Sequence, residues 1–224
     1  IEIEQKMTLQ AVEKFYGRRK GRSLKKQKTE FLKTLDLYRV KFPLDLKEMF
    51  PSVQEICLEI GFGGGEHLAA LAEQNPKVGF IGAEAFMNGV ASFLQFRFEK
   101  QLNNVQLFPD DVRLLLQELP DNSIQKVFIL FPDPWPKKKH HKRRIVSPKL
   151  VAELSRIVKK GGEVRLASDV ADYIEHMQQA FQTVSEFQLQ LCSQEKPDAW
   201  PSTRYEMKAL EAHDYPQYLI YLKN

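Results

Sequence analysis

The sequence predicts an α/β fold: a doubly wound, mostly parallel seven-stranded sheet carrying a basic amino-terminal arm. Three observations lead there. Short apolar runs of strand length alternate with amphipathic stretches of helical length. The first run is followed by a glycine turn, GFGGG at 61–65. Acids recur where the runs end, which in an open parallel sheet is the edge that collects ligands.

Residues 1–50 are basic and irregularly patterned, and the glycines of GRRKGR at 17–22 interrupt any long helix, so an arm and a short helix are expected there. Residues 51–224 are expected to form the main domain. QEICLEI at 54–60 reads as the first strand, and 66–74 as a helix with Leu68, Leu71 and Ala72 on one face. A second strand over 78–83 ends at Glu84, a helix covers 87–101, and a third strand over 105–108 precedes Asp110 and Asp111. The fourth strand, 127–131, must stop, because Pro132, Pro134 and Pro136 follow. Ser147 is a natural N-cap with Pro148 at the first helical position, and Lys159, Lys160 and Gly161 read as that helix's end. A fifth strand over 164–167 ends at Ser168 and Asp169. A helix over 173–181 and strands over 187–191 and 218–222 complete the sheet, with an antiparallel strand open near its end.

With 224 residues, 43% hydrophobic and 28% charged, the chain can bury its own core. The net charge is only +4, but residues 14–28 hold eight Lys/Arg and residues 137–144 hold six, neither with an acid. Elsewhere acids outnumber bases. Such segregation suits steering of a polyanion and makes nucleic acid the favoured partner over a merely solvated face. Cys57 and Cys192 belong to no CxxC, which excludes a disulfide framework or zinc-binding pattern. No apolar span of membrane length and no leader pattern is visible, so a cytoplasmic protein without membrane association is expected.

The segment VFILFPDPWPKKKHHKRR at 127–144 joins a buried strand to an acid, an aromatic and a cationic run, placing Asp133 and Trp135 at the ligand edge. Trp135 suits stacking on an extruded base, or equally a plug packed on the core. Gly61, Gly63 and Gly65 let the chain turn sharply and admit a ligand close to the backbone. A dinucleotide fingerprint would need glycine where Glu66 stands, and a carboxylate there would repel a pyrophosphate. S-adenosylmethionine, with its positive amino and sulfonium groups, instead wants acids. Glu59, Glu84, Asp111 and Asp133 supply them at four successive strand ends. Each alone could be a solvated loop carboxylate; Glu84 stands where an acid accepts from ribose hydroxyls, and Asp111 could accept from the adenine amine.

LEIGFGGG at 58–65, GAE at 82–84, FPDPWPKKKHHKRR at 131–144, LASD at 166–169 and TRYE at 203–206 resemble, in order, the motifs of the bacterial-type tRNA (guanine-N(7)-)-methyltransferases. The similarity spans roughly residues 15–206. It implies a class I S-adenosylmethionine-dependent, Rossmann-like fold and methylation of nitrogen-7 of the guanosine at position 46 in the tRNA variable loop. It implies that Glu59, Glu84 and Asp111, with the turn glycines Gly61 and Gly63, bind the cofactor, and that Asp133 both binds it and is the catalytic acid. Lys137, Asp169, Thr203, Arg204, Tyr205 and Glu206 would hold the guanosine. Lys139, His140, His141, Lys142, Arg143 and Arg144 would contact the tRNA. Pro136 stands where some members have His, so no catalytic role is expected there. No metal and no obligatory protein partner are implied, and monomer and homodimer both stay open. Two other readings remain: methylation of an exocyclic amine, whose usual NPPY or DPPY differs from FPDPW, and an RNA-binding module on a degenerate methyltransferase fold.

Overall fold

The computed structural model describes residues 15–198 and 200–224; the first residues of the expected arm lie outside that set. Helices α1 (Lys26–Leu32) and α2 (Leu46–Met49) precede the alternating core. That core runs β1 (Glu55–Ile60), α3 (Glu66–Gln74), β2 (Val78–Ala83), α4 (Met87–Lys100), β3 (Val105–Phe108), α5 (Val112–Glu118) and β4 (Ile124–Leu130). It continues through α6 (Pro148–Ile157), β5 (Val158–Ser168), α7 (Ala171–Phe181), β6 (Phe187–Ser193), α8 (Arg204–Glu211) and β7 (Gln217–Lys223).

The sheet order is β3-β2-β1-β4-β5-β7-β6. Its first five strands pair in parallel, while β7 is antiparallel to both β5 and β6. Central strands are buried on both faces, which is why they read as continuous apolar runs rather than alternating ones. Leu58, Ile81, Val127 and Val164 have no solvent exposure. One face packs on Leu115, Leu150, Leu154 and Met177 of α5, α6 and α7; the other packs on Leu68, Val90, Phe93 and Leu94 of α3 and α4. Each such side chain contributes about 1.5–3 kcal/mol through burial.

Order reverses between β1 and β4, so the carboxyl ends of β3, β2, β1 and β4 form one crevice. Within residues 1–50, Leu35, Val40 and Phe50 are buried in the core clusters. Val40 donates its amide to Leu107 at 2.8 Å, and Leu107 donates to Tyr38 at 2.8 Å, so this segment covers the β3 edge.

Helix α6 starts as expected, with the Ser147 hydroxyl accepting from the Leu150 amide at 3.3 Å. Its end differs: Lys159, Lys160 and Gly161 are already strand, because β5 begins at Val158 opposite Ile124 and resumes at Glu163 opposite Lys126 across an irregularity. Helix α5, absent from the sequence reading, grows from the Asp111 cap. Among the described residues no helix is long and apolar enough to cross a membrane.

Candidate functional site

The glycine turn is the floor of the crevice. Gly61 and Gly63 have φ of +74° and +56°, conformations that side chains rarely adopt. A Cβ at Gly61 would meet no atom within 4 Å, so the turn opens onto free space. Helix α4 approaches it closely: a Cβ at Gly89 would lie 2.0 Å from the Gly63 carbonyl oxygen.

Glu84, after β2, accepts from the Gly63 and Phe86 amides, each at 2.8 Å. Burial holds its carboxyl above the usual range, the Phe86 and Gly63 amides oppose that shift, and the charge of Asp133 adds to it. Glu59 lies beneath the turn and is only 3% exposed, with its Oε2 2.8 Å from His67 Nδ1. Asp111 is also buried; it caps α5 by accepting from the Arg113 amide at 3.1 Å and pairs with the Arg113 guanidinium. Asp133 is exposed and Glu84 half-buried, so these two of the four acids face the crevice. The crevice thus gathers all four acids on neighbouring strand ends, two of them beneath the surface.

The loop after β4 carries its own strain. Phe131 and Trp135 have φ of +51° and +45°, costing about 1–3 kcal/mol each, so the surroundings must hold them. Phe131 donates to the Ala167 carbonyl at 2.8 Å. Arg144 supplies the second hold: its Nε donates to the Pro134 carbonyl at 2.9 Å, and its guanidinium forms two 2.9 Å bonds to the Asp172 carboxylate while lying over the Tyr173 ring. Arg144 is 4% exposed, with its guanidinium engaged inside the fold. Expected in the RNA-contacting run, it fastens the loop to α7 in this structure.

The rest of that run folds as a 3-10 helix over Lys138–Arg143. Lys137, Lys138, Lys139 and Lys142 are exposed. His140 sits edge-on to Trp135, and desolvation followed by the charges of Arg143, Lys139, Lys137 and Lys142 holds its imidazole below the ordinary range. His141 turns toward Asp172, at 3.6 Å. Arg143 lies over the rings of both Trp135 and Tyr16, at 5.0 and 4.8 Å. Its Nε is enclosed without a hydrogen-bond partner among the described residues.

Tyr16 belongs to the arm, so the two basic runs meet. The arm then crosses to the other side of the crevice: the Met87 amide donates to the Arg19 carbonyl, Asn88 exchanges hydrogen bonds with Gly21 and Arg22, and Arg19 pairs with Asp110 at 2.7 Å. The arm's charge is legible in the sequence, whereas Arg19 and Asn88 as the residues that dock it are not. Nothing in their spacing signals partners more than sixty residues away.

Helix α8 borders the turn from another side, and Asp169, after β5, is exposed. Thr203 accepts from the Glu206 amide at 2.9 Å and Glu206 accepts from the Thr203 amide at 3.3 Å, a complete capping box. That T-x-x-E pattern stands in the sequence as TRYE and is the signal that would have located the helix. Tyr205 leans over the turn, since a Cβ at Gly63 would lie 3.2 Å from its ring. Burial, then the charges of Asp133 and Glu84, raise its phenol above the ordinary range. Arg204 is exposed beside it. Glu206 is 2% exposed, its carboxylate taken by Tyr218, Lys196 and the Thr203 amide. Its carboxylate, expected at the guanosine, is engaged within the fold in this structure and braces α8. Among the described residues no group of three or more His, Cys, Asp or Glu could hold a metal ion.

A crevice of acids around an open glycine turn, flanked by aromatics and a basic rim, is equipped to seat a cationic cofactor beside an RNA base. A family described as "Putative methyltransferase" matches residues 53–215. The tRNA (guanine-N(7)-)-methyltransferase of Paramagnetospirillum magneticum is 42% identical over 93% of this chain and 92% of its own length. That of Agrobacterium fabrum is 42% identical over 95% and 96%. Among solved structures, the 16S rRNA methyltransferase KamB superposes with a TM-score of 0.60 at 14% identity, covering 84% of this chain and 99% of that one, a likeness of fold.

Proposed function

Because this chain belongs to the tRNA (guanine-N(7)-)-methyltransferase family, we propose that it transfers a methyl group from S-adenosylmethionine to nitrogen-7 of the guanosine at position 46 in the variable loop of tRNA. The observation that carries this reading is the crevice itself, where an acid-lined glycine turn opens beside Asp133 and Tyr205 and the two basic runs meet at Tyr16 and Arg143.

S-adenosylmethionine supplies, when bound, an electrophilic methyl group on a positively charged sulfur. The donor set fits it: Glu84 and Asp133 supply carboxylates beside the turn that opens at Gly61, while Glu59 and Asp111 add negative potential from beneath and shape the turn and the α5 cap. Nitrogen-7 of guanine carries an in-plane lone pair, so no side chain needs to remove a proton before attack. The work left to the protein is orientation and electrostatics. Holding the guanine in line supplies up to roughly 7–11 kcal/mol of barrier reduction. Asp133 stabilises the positive charge that develops on the ring, or accepts from the guanine imino and amino groups. Tyr205 and Trp135 stack on the extruded base, and Lys137, Asp169, Thr203 and Arg204 complete its enclosure. Lys139, Lys142 and Arg143, with the arm, neutralise phosphates.

The test is incubation with methyl-labelled S-adenosylmethionine and unmodified tRNA. Label should enter the RNA and disappear when the position-46 guanosine is replaced by adenosine. Undiminished labelling of that altered tRNA would contradict the reading.

A further inference from the structure

Tyr218 lies near the start of β7 at the same sheet edge as the crevice, in register with Ala167 of β5. Its side chain is buried, packed edge-on against Trp200, and its hydroxyl donates to the Glu206 carboxylate, which is equally buried. Lys196 Nζ approaches the other oxygen of that carboxylate at 3.4 Å and also donates to the Ser202 hydroxyl at 2.7 Å. The same oxygen accepts from the Thr203 amide at 3.3 Å. Glu206 thus ties three separate pieces of chain together: β7 through Tyr218, the preceding segment through Lys196, and the first turn of α8 through Thr203.

Geometry makes this a device for aiming Tyr205. Tyr205 immediately precedes Glu206, and its ring lies against Gly63 in the cofactor turn. Helix α8 has only eight residues, and its outer face, with Met207 and Leu210, is exposed, so packing alone holds it weakly. A buried carboxylate satisfied by three donors of fixed origin sets both the position and the rotation of that helix. Burial, then the hydrogen bond to and charge of Glu206, raise the Tyr218 phenol above its ordinary range, which favours its donor form.

We propose that Tyr218 is a positioning residue for methyl transfer, acting through Glu206 to hold the Tyr205 ring over the glycine turn. It touches neither cofactor nor base. The inference rests on the reading that Tyr205 contacts the guanosine.

A double-mutant cycle on the full chain tests it, comparing Tyr218→Phe, Tyr205→Ala and the pair. The readouts are kcat/KM for tRNA, the Kd for S-adenosylmethionine and the melting temperature. Tyr218→Phe should lower kcat/KM about tenfold, within the range of coupling inside one hydrogen-bonded network, and change the cofactor Kd less than about twofold. In the Tyr205→Ala background it should cost almost nothing further, because the residue it aims is gone. Full activity of Tyr218→Phe, or losses that multiply in the pair, would overturn the inference while leaving the Tyr205 placement standing. Full activity of Tyr205→Ala would overturn both. Lys196→Met removes a donor to the same carboxylate from another segment, so it must show the same non-additivity; multiplicative losses there would refute the account even if Tyr218→Phe fails to fold.

Discussion

Replacing Asp172 by Asn removes the charge that faces Arg144 while leaving the Asp172 backbone carbonyl, a 3.3 Å acceptor, in place. Two magnitudes bracket the cost. A fully buried pair broken on one side costs about 3–5 kcal/mol, and an exposed pair about 0–1. Here the Arg144 side chain is 1% exposed and the Asp172 side chain 50%, so solvent screens one partner and the expected cost is about 2 kcal/mol. In a domain of this size that lowers the melting temperature by roughly 4–8 °C. The kinetic consequence follows from what Arg144 holds. Its bond to Pro134 restrains a loop with Phe131 and Trp135 in left-handed conformations, and these relax once the restraint weakens. If the whole 2 kcal/mol is felt at the loop, kcat falls by up to about thirtyfold. Thermal denaturation monitored by circular dichroism, together with single-turnover methyl transfer at saturating tRNA, measures both. A melting temperature within about one degree of the parent, with an unchanged rate, would refute the assignment of Arg144 to the loop rather than to RNA.

Three further outcomes are expected. Asp133→Asn should bind cofactor and tRNA nearly as the parent does and lose rate, which equilibrium binding alongside single-turnover kinetics resolves; equal losses in binding and rate would instead mark Asp133 as a simple binding contact. Lys139→Glu with Lys142→Glu should weaken tRNA binding and flatten its dependence on salt without altering cofactor affinity, because both side chains are exposed on the rim; an unchanged salt slope would move the RNA path elsewhere. Burial pushes the Cys57 thiol up to about 12, whereas Cys192 is exposed, so iodoacetamide at neutral pH should label Cys192 alone in the native protein and both after denaturation; native labelling of Cys57 would contradict its place in β1.

Much of the sheet could be read from local signals. The apolar runs of β1, β2 and β3 and the Ser147-Pro148 start of α6 are set by periodicity, glycine and proline, which act within a few residues. What escaped was where one signal carried two meanings. Asp111 stands out as a ligand-edge acid, and only the structure adds that it caps α5. TRYE stands out as a recognition motif and is also a capping box. Lys159, Lys160 and Gly161 look like a helix stop, yet the chain turns directly into β5, a pairing that depends on distant Ile124. The candidate site divides the same way. Its acids gather because strand ends do, but a run of six cations does not say which one points inward. Arg144 does so because Asp172, twenty-eight residues later, waits on α7.

The most direct test of the account is where the methyl group goes. Unmodified tRNA is treated with the full chain and S-adenosylmethionine, then subjected to chemical cleavage at 7-methylguanosine. The account predicts one new cut, at the variable-loop guanosine. Cuts at other guanosines would contradict the assigned target, and methylated RNA that resists cleavage would contradict nitrogen-7 as the accepting atom.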